Sequence, residues 1–253
     1  MIKATPSTDH TRFMSLPASL KGSAMKLSII IPCYNERALL PQLIARVRSA
    51  PVGDKEIILV DDGSRDGTTE MIRTEFEASV DKVVYHPRNR GKGAAIQSGL
   101  NQVTGDMVII QDADLEYDPQ EYPKLIQPIL EGKADVVFGS RFAGGDPHRV
   151  HLFWHYAGNK LLTLLSNMVS NLNLTDMETC YKVFRTGILR DIELKENGFG
   201  IEPELTIKVA KKKCRIYEVG ISYQGRSYVE GKKISWKHGI EAIWVILKYG
   251  ILG

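Results

Sequence analysis

Short apolar runs alternate along this chain with longer amphipathic stretches. β-Branched and other apolar residues form runs of strand length at residues 26–31, 56–60, 82–86, 107–110 and 134–140. Between these runs apolar residues recur at helical spacing, which predicts helices over 39–47, 69–76, 89–103 and 122–130. Because strand and helix alternate, we predict βαβ units and an α/β fold with a mostly parallel central sheet flanked by helices.

The second half of the chain predicts further elements in a less regular order. They are a long apolar helix over 152–172, strands over 180–185 and 215–223, and a helix over 202–213. A stripe near the end predicts an amphipathic helix; it comprises Ile240, Ile243, Trp244, Leu247 and Ile251. Two interpretations of that stripe stay open: packing against the core, or a helix that lies in a membrane interface.

Length and composition favour one globular domain. The chain has 253 residues, of which 43% are apolar and 25% charged, as is ordinary for a soluble globular protein. We predict a flexible tail over residues 1–24, the α/β domain over 25–235 and the amphipathic helix over 236–253. No apolar run reaches the roughly 18 residues that a transmembrane helix needs, and residues 1–24 lack the apolar segment of a secretory signal.

Charge and cysteine content narrow the functional classes. The net charge of +3 is too small to indicate a nucleic-acid-binding protein. Basic residues outnumber acidic ones in residues 201–253, which suits an anionic ligand or an anionic membrane surface, although a solvated basic face is the commoner cause. The three cysteines are widely separated and show no metal-ligand spacing, so a reduced, cytoplasmic setting is expected.

Polar side chains follow the first, second and fourth predicted strands. They are Tyr34 and Glu36 after the first strand, Asp61 and Asp62 after the second, and Asp112, Asp114 and Glu116 after the fourth. Ligands of open parallel sheets bind beyond the carboxyl ends of the strands, so these residues predict a nucleotide-type site at one edge. Each group alone would also suit an ordinary turn.

The acidic residues after the fourth strand form the most distinctive group. In an extended backbone the side chains of Asp112, Asp114 and Glu116 would point to one side. Such carboxylates repel one another unless a cation lies between them, and hard oxygen ligands favour Mg²⁺ or Mn²⁺. The alternative is a solvated acidic loop before a helix that starts at Asp118 and Pro119.

Other motifs exclude several enzyme classes. The segment Gly91-Lys92-Gly93 has neither the dinucleotide fingerprint nor the P-loop spacing. No nucleophile elbow or Ser-His-Asp pattern occurs. Cations suited to phosphates lie instead in predicted loops of the second half; they are Arg141, Arg226, Lys232 and Lys233.

Four segments resemble the inverting family 2 glycosyltransferases, whose fold is termed GT-A. They are Ile30-Ile-Pro-Cys-Tyr-Asn-Glu36, Val60-Asp-Asp-Gly-Ser-Arg-Asp-Gly-Thr68, Asp112-Ala-Asp-Leu-Glu116 and Gly139-Ser-Arg141. The later Gly225-Arg-Ser-Tyr228 and Lys232 resemble the branch that includes dolichol-phosphate mannose synthase and bacterial polyprenyl-phosphate hexosyltransferases.

The resemblance implies a role for particular residues. Donor-binding residues matching the family motifs are Pro32, Tyr34, Glu36, Val60, Asp62, Asp112 and Ala113. The metal-binding residues would be Asp112, Asp114 and Glu116, and the catalytic set would be Asp114, Arg141, Arg226 and Lys232. Glu116 stands where mannose synthases often have Gln. An acceptor-side Arg of the long-helix region is not evident, and His151 or His155 is the candidate replacement.

These residues together predict transfer of a hexose, with inversion, from GDP-mannose or UDP-glucose to a polyprenyl or dolichyl phosphate, with Mg²⁺ or Mn²⁺ as cofactor. The protein would lie peripherally at the cytoplasmic face of a membrane, with or without an integral membrane partner.

An ionised lipid phosphate needs no strong base, whereas a sugar hydroxyl needs one. The alternative, a saccharide acceptor, would therefore use Asp176 or Glu202 as base. A third possibility is a binding module without catalysis.

Overall fold

A computed structural model of the chain describes residues 25–144, 152–225 and 236–252. Within these ranges seven strands form one sheet: β1 (Leu27–Cys33), β2 (Lys55–Asp61), β3 (Lys82–Tyr85), β4 (Met107–Ile110), β5 (Val136–Ser140), β6 (Lys182–Arg185) and β7 (Ile216–Gly220). Each of the seven strands predicted from the sequence is present, with ends that differ by a few residues.

Helices cover both faces of the sheet. Those of the first half are α1 (Leu40–Ser49), α2 (Thr68–Met71) with a π-helical turn over Ile72–Phe76, α3 (Lys92–Leu100), and α4 (Tyr122–Leu130) after a 3₁₀ turn over Pro119–Glu121. Those of the second half are α5 (Phe153–Ser170), α6 (Thr186–Arg190), α7 (Ile201–Lys211), and α8 (Trp236–Leu247) with a π-helical turn over Lys248–Leu252. The five-residue α6 has no counterpart among the predicted helices.

The strand order is β3-β2-β1-β4-β6-β5-β7. The pairs β1–β2, β1–β4, β2–β3 and β5–β7 are parallel, whereas β6 runs antiparallel to both β4 and β5. The prediction of a mostly parallel sheet flanked by helices is therefore confirmed. Because β6 is antiparallel, the segment that precedes it lies at the same edge as the segments that follow β4 and β5.

Strand β1 continues through Pro32, although the sequence predicted that it stops there. Cys33 accepts a hydrogen bond from Asp62 N, so the main chain of Cys33 faces β2, and Ile30 accepts one from Gln111 N on the side of β4. The nitrogen of Pro32 also faces the side of β4, whose pairing with β1 ends at Ile30. A missing amide hydrogen is therefore tolerated at this position.

The core forms because the apolar face of each element meets the sheet. In β1 the three isoleucines Ile29, Ile30 and Ile31 have no exposed surface, and full burial of each stabilises the fold by about 1.5–3 kcal/mol. Helix α1 adds one buried stripe to the same core, which contains Leu40, Leu43, Ile44 and Val47. Pro41 lies in the first turn of this helix, where proline is tolerated, and basic residues lie in its last turn, as the helix dipole favours.

Helices α5, α7 and α8 enclose a second, smaller apolar cluster that includes Met177, Ile207, Val245 and Ile246. The apolar stripe predicted near the chain end faces outward: Ile240, Trp244, Leu247 and Ile251 are exposed. Packing of that whole stripe against the core, one of the two sequence interpretations, is therefore wrong, because α8 buries a different face. In the described part of the chain, no helix is long and apolar enough to cross a membrane.

Candidate active site

The segments that follow β1, β2 and β4 meet at one edge of the sheet, as predicted. Cys33 at the end of β1 pairs with Asp61 at the end of β2, and Ile30 pairs with Ile110 at the end of β4. The chain order reverses at β1, which lies between β2 and β4. Such a switch point leaves a crevice beyond the strand ends, where open α/β sheets bind their ligands.

Direct hydrogen bonds hold the first two of these loops together. Asn35 N donates to Ser64 Oγ at 2.9 Å, and Arg65 N donates to Asn35 Oδ1 at 2.8 Å. Asn35 has a φ of +52°, a conformation that asparagine adopts more readily than most residues. Asp61 fixes the second loop, because its carboxylate accepts from Ser64 N and Thr69 Oγ1.

Asp62, a predicted nucleoside ligand, positions a third loop. Its carboxylate accepts hydrogen bonds from Arg90 N at 2.9 Å and Gly91 N at 2.8 Å, and His86 Nδ1 lies 2.6 Å from Oδ1. Gly91 has a φ of +100°, and a Cβ there would lie 2.3 Å from Asn197 O, so only glycine fits. The structure thus gives Asp62 a structural role, and nucleoside binding by Asp62 stays a prediction.

The other predicted nucleoside ligands lie close by in the fold. Pro32 and Val60 are opposite each other in the β1–β2 register, and Glu36 is buried beside the second loop, where its main-chain nitrogen donates to Thr68 Oγ1. Tyr34 is half-buried. Ala113, predicted to contact the donor, is buried next to the acidic residues.

The backbone after β4 differs from the sequence prediction. Residues 113–117 form turns, and Leu115 has a φ of +63°. Asp112, Asp114 and Glu116 are therefore not alternate residues of an extended segment, and the expectation that spacing alone aligns their carboxylates was wrong. The physical reason is that Asp114 Oδ1 accepts from Glu116 N at 3.2 Å, which favours a local turn over extension.

Lys92, the first residue of α3, links the acidic segment to α7. Its ammonium lies 2.7 Å from Asp112 Oδ1 and 3.0 Å from Glu202 Oε1. Burial opposes the charge of Lys92, but the carboxylates of Asp112 and Glu202 outweigh burial and raise its pKa well above the ordinary value. Glu202 also accepts a hydrogen bond from Lys182, which in turn donates to Thr179 O. Charged groups thus alternate in sign across the crevice.

Glu116 is engaged by an aromatic cluster. Tyr223 donates its hydroxyl proton to Glu116 Oε2 at 2.6 Å. Tyr117 packs against Tyr223 and Tyr181, with ring centroids 5.2 and 4.8 Å away. Burial and the Glu116 carboxylate raise the pKa of Tyr223, so this phenol keeps its proton. The cluster connects the end of β4 to the segment after β7.

The carboxylates of this segment fit an ion shared with a substrate better than a closed metal site. Across the three described ranges, no three acidic, histidine or cysteine side chains are grouped to hold a metal ion. Mg²⁺ is commonly held by one or two carboxylates, with water and substrate phosphates as the other ligands. The ammonium on Asp112 Oδ1 indicates that this position accommodates a cation. Asp112 and Asp114 therefore fit this role, with Lys92 on one Asp112 oxygen, whereas Glu116, whose Oε2 accepts from Tyr223, stays a predicted ligand.

Arg141 forms a buried pair with Asp176. Its Nε and Nη2 donate to Asp176 Oδ2 and Oδ1, both at 2.7 Å, and its main-chain nitrogen donates to Oδ2 at 3.0 Å. Burial opposes the guanidinium charge, but Asp176 outweighs it and raises the pKa of Arg141 well above the ordinary value. Two rings, Phe142 and Tyr223, lie beside the guanidinium, with centroids 5.5 and 5.1 Å from Cζ. The side chain is therefore fixed and fully charged.

A cavity of about 240 Å³ opens next to Arg141. Its lining includes Lys160, Tyr156 and Phe142, and Lys160 Nζ donates to Thr175 O at 3.0 Å. Lys160 was not among the site residues predicted from the sequence. The available signal was a lysine within an otherwise apolar helix, which is unusual unless a partner or a cavity accommodates the charge. The charges of Arg141 and Lys160 suit this cavity to an anion.

The two candidate bases for a saccharide acceptor are both engaged. Asp176 has both oxygens bonded to Arg141, and Glu202 pairs with Lys92 and Lys182. Both carboxylates therefore form ion pairs in the structure. Neither carboxylate is arranged to receive a proton from a hydroxyl.

Glu178, also not predicted from the sequence, lies along the chain between Asp176, which is bonded to Arg141, and Thr179, whose carbonyl oxygen accepts from Lys182. Burial raises the pKa of Glu178 to about 7, and repulsion from Glu202 acts in the same direction. Its Oε1 atom is shielded from solvent and has no hydrogen-bond partner among the residues that the structure describes. No sequence pattern distinguishes this glutamate from an ordinary surface glutamate.

The raised pKa of Glu178 predicts a pH-dependent cost in stability. The pKa of Glu178 is about 7 in the folded protein, against an ordinary value of 4.5, so the folded state binds the proton more tightly than the unfolded state does. The free energy of unfolding therefore falls as the pH rises between those two values. Glu178→Gln should therefore increase the free energy of unfolding at pH 8 by up to about 3 kcal/mol and change it little at pH 4. Urea unfolding at both pH values measures this. The exposed Glu193→Gln is the control, and an equal effect at both pH values would contradict the prediction.

Several predicted residues lie outside the described ranges. They are His151, Arg226, Lys232 and Lys233. Arg226 and Lys232, predicted to bind phosphates, remain predictions. His155, the other candidate replacement for an acceptor-side arginine, is half-buried on α5, where its main-chain oxygen accepts from Asn159 Nδ2 at 2.8 Å.

Comparison with known proteins identifies relatives of this arrangement. The sequence profile of glycosyl transferase family 2 matches residues 28–193. A dolichol-phosphate mannosyltransferase of Pyrococcus furiosus is 31% identical, and the alignment covers 90% of this chain and 68% of that protein. An undecaprenyl-phosphate mannosyltransferase of Micrococcus luteus is 30% identical, with 90% of this chain and 95% of that protein covered.

A solved structure has the same fold. It is glucosyl-3-phosphoglycerate synthase from Mycobacterium tuberculosis in complex with Mn²⁺, uridine diphosphate and glucosyl-3-phosphoglycerate. The TM-score is 0.70 at 21% identity, and the match covers 92% of this chain and 82% of that one. At this identity the likeness shows the fold alone. Together with the profile match and the identity to the mannosyltransferases, it shows that this chain belongs to glycosyl transferase family 2, has the GT-A fold and is a glycosyltransferase.

Proposed function

We propose that this enzyme transfers a hexose from a nucleotide sugar to the phosphate of a polyprenyl phosphate, with inversion at the anomeric carbon. The observation that carries the proposal is the cavity of Arg141 and Lys160, which opens beside the exposed apolar face of α5. A cation-lined cavity next to an apolar surface suits an acceptor that has a phosphate head and a lipid tail. The names of the two mannosyltransferase relatives support the same acceptor class.

The donor would occupy the crevice beyond β1, β2 and β4. Pro32, Tyr34, Glu36, Val60 and Asp62 are the proposed nucleoside contacts, and Asp112 and Ala113 the contacts nearer the diphosphate. Hydrogen bonds between the loops hold the walls of this crevice before any ligand binds. A preformed site lowers the entropy cost of binding the donor. GDP-mannose and UDP-glucose are the two donors proposed.

Mg²⁺ or Mn²⁺ is the proposed cofactor, and Asp112 and Asp114 would hold it. A bound divalent ion neutralises charge on the diphosphate leaving group. Lys92 keeps one Asp112 oxygen in place, so the aspartate is oriented in advance. A solved relative of the same fold was crystallised with Mn²⁺ and uridine diphosphate, which supports this choice of ion for the fold.

The acceptor phosphate would bind between Arg141 and Lys160. Both side chains are held by hydrogen bonds, Arg141 by Asp176 and Lys160 by Thr175 O. Because a phosphate ester is ionised at neutral pH, its oxygen can attack the anomeric carbon without losing a proton to a base. The protein then needs to hold two anions at close range, and fixed cations do this by position and charge. Arg226 and Lys232 are proposed to add further phosphate contacts.

The exposed faces of α5 and α8 are proposed to contact the membrane. Helix α5 exposes a stripe of Trp154, Leu161, Leu164 and Met168, and α8 exposes Trp236, Ile240, Trp244 and Leu247. The two helices pack beside each other through the smaller apolar cluster. Tryptophan favours the interface between lipid and water, and lysines such as Lys237 favour anionic headgroups. Peripheral binding at the cytoplasmic face of a membrane would bring the cavity to its lipid.

Negative charge introduced on this surface should weaken membrane binding. The double variant Trp154→Glu/Trp244→Glu is expected to bind anionic phospholipid vesicles at least about tenfold more weakly, because two interfacial anchors become anions. Cosedimentation with the vesicles measures this. Leu130→Glu places the same charge at an exposed leucine of α4 and should leave binding unchanged. Equal binding by the wild type and the double variant would contradict the proposed surface.

The proposal is tested by release of nucleoside diphosphate. The enzyme is incubated with GDP-mannose or UDP-glucose, with Mg²⁺ or Mn²⁺, and with a polyprenyl phosphate or the corresponding polyprenol. Release is expected with one donor, and only when metal and the phosphorylated lipid are both present. Equal release with the polyprenol would show that the phosphate is not the acceptor group.

A further inference from the structure

Glu178 belongs to the segment that leads into β6. Since β6 is antiparallel to β4, this segment lies at the edge of the sheet where the acidic residues follow β4. Two contacts fix it there: Cys180 N donates to Tyr117 Oη at 3.1 Å, and Cys180 Sγ lies 3.6 Å from Ile110 O. On the other side of Glu178, Met177 N donates to Thr163 Oγ1 at 3.1 Å, so the backbone is held on both sides.

Glu178 lies, along the chain, between residues that hold two ion pairs. Two residues before it, Asp176 is bonded to Arg141, and one residue after it, Thr179 O accepts from Lys182, the partner of Glu202. All four charged groups influence the charge of Glu178. Oε1 is shielded from solvent and has no hydrogen bond within the described part of the chain. A buried carboxyl oxygen without a partner is costly, and a native structure that retains one calls for a reason, such as a catalytic role or a group that binds there and completes the hydrogen bond.

The position of Glu178 indicates which part of the substrates lies near it. In the proposed function the donor diphosphate lies at Asp112 and Asp114, and the acceptor phosphate lies at Arg141 and Lys160. The hexose connects these two places during transfer. On the acceptor side, Glu178 follows Asp176, the partner of Arg141, by two residues. On the donor side, it precedes Thr179, whose carbonyl oxygen accepts from Lys182, the partner of Glu202, and Lys92 connects Glu202 to Asp112. A hexose hydroxyl is the polar group best placed to reach it.

We propose that Glu178 binds a hydroxyl group of the transferred hexose and so determines which sugar the enzyme accepts. This inference rests on the proposed function. The carboxyl oxygen accepts a hydrogen bond from the hydroxyl, and the bond satisfies the atom that is otherwise unpaired. A site built in this way rejects a sugar without that hydroxyl, because the buried oxygen then stays unpaired.

Binding measurements in the absence of acceptor test the inference. Affinities for GDP-mannose, UDP-glucose, GDP and UDP are measured by calorimetry with Mn²⁺, for the wild type, Glu178→Ala and Glu178→Gln. The relevant donor is the sugar nucleotide that the wild type binds more tightly than the corresponding nucleoside diphosphate. Glu178→Ala should weaken binding of this donor at least about tenfold. Binding of the nucleoside diphosphate should change by no more than about twofold. Glu178→Gln, which keeps an accepting oxygen, should retain most of the affinity.

Deoxy analogues of that donor identify the hydroxyl. The wild type and Glu178→Ala should bind with equal affinity the analogue that lacks the hydroxyl group contacted by Glu178. Unchanged binding of the complete donor by Glu178→Ala would overturn the inference, as would an equal loss for the donor and the nucleoside diphosphate. If Glu178→Gln lost as much as Glu178→Ala, the charge rather than the accepting oxygen would be required, which also overturns it. Because no acceptor is present, failure of lipid glycosylation would refute the proposed function and leave this result standing.

Discussion

Replacement of Asp114 by asparagine should reduce sugar transfer about 100-fold or more. The variant keeps the size and the turn of the acidic segment but removes one negative charge from the proposed metal and diphosphate site. Loss of a single group that stabilises developing charge commonly costs about 10²–10³ in rate. Initial rates at increasing Mn²⁺ concentration, with donor and polyprenyl phosphate saturating, measure the effect. Near-normal turnover at saturating Mn²⁺ would show that Asp114 does not serve this role.

Metal binding itself gives a second readout for this variant. Mn²⁺ binding in the presence of nucleoside diphosphate, followed by electron paramagnetic resonance, should weaken in Asp114→Asn. The matched control is Asp118→Asn, four residues further along, where the aspartate caps the turn before α4 by accepting from Gln120 N. That substitution should leave both turnover and Mn²⁺ binding close to the wild-type values.

Arg141→Lys should lower the rate with polyprenyl phosphate about 10-fold to 100-fold. Lysine keeps the positive charge that Asp176 requires but cannot present two parallel N–H groups. Alanine would be a poorer test, since an unpaired buried Asp176 would destabilise the fold by about 3–5 kcal/mol. The change is expected in the KM for the acceptor and in kcat, with donor binding unaffected. Lys160→Gln should act in the same direction, about tenfold.

The chain offers a matched control for this substitution. Arg215 makes a similar two-point contact with Asp135, with Nε and Nη2 at 3.0 and 2.8 Å from the carboxylate oxygens, but on the surface. Arg215→Lys should leave the transfer rate unchanged. If Arg141→Lys retained wild-type kinetics with the lipid acceptor, Arg141 would have only a structural role as the partner of Asp176.

The fold could be predicted from the sequence because its signals are local. Apolar runs such as Met107–Ile110 are long enough to identify strands, and the 3.6-residue spacing in α1 identifies a helix. The antiparallel direction of β6 was not predicted, since strand direction depends on contacts between segments distant in sequence. The outward face of α8 was not determined for the same reason: both faces of this helix contain large apolar residues, and only packing against α5 and α7 selects one of them.

The candidate site could be predicted only in part. Residues at strand ends, such as Asp62 and Asp112, were found because the α/β topology assigns ligands to that edge. The turn at Leu115 was not, since a leucine with positive φ has no sequence signature. Lys160 and Glu178 were not found because the residues around them in the fold are distant along the chain. The pKa of Glu178 also depends on burial that only the folded chain produces.

The destination of the transferred sugar tests most directly whether the acceptor is a polyprenyl phosphate. Enzyme, metal and donor labelled in the hexose are incubated with and without a polyprenyl phosphate, and the products are partitioned between an aqueous and an organic phase. Label from one donor is expected to enter the organic phase, and only when the polyprenyl phosphate is present. If label stayed in the aqueous phase in every sample while nucleoside diphosphate was released, the acceptor would not be a lipid phosphate, and the proposed function would be wrong.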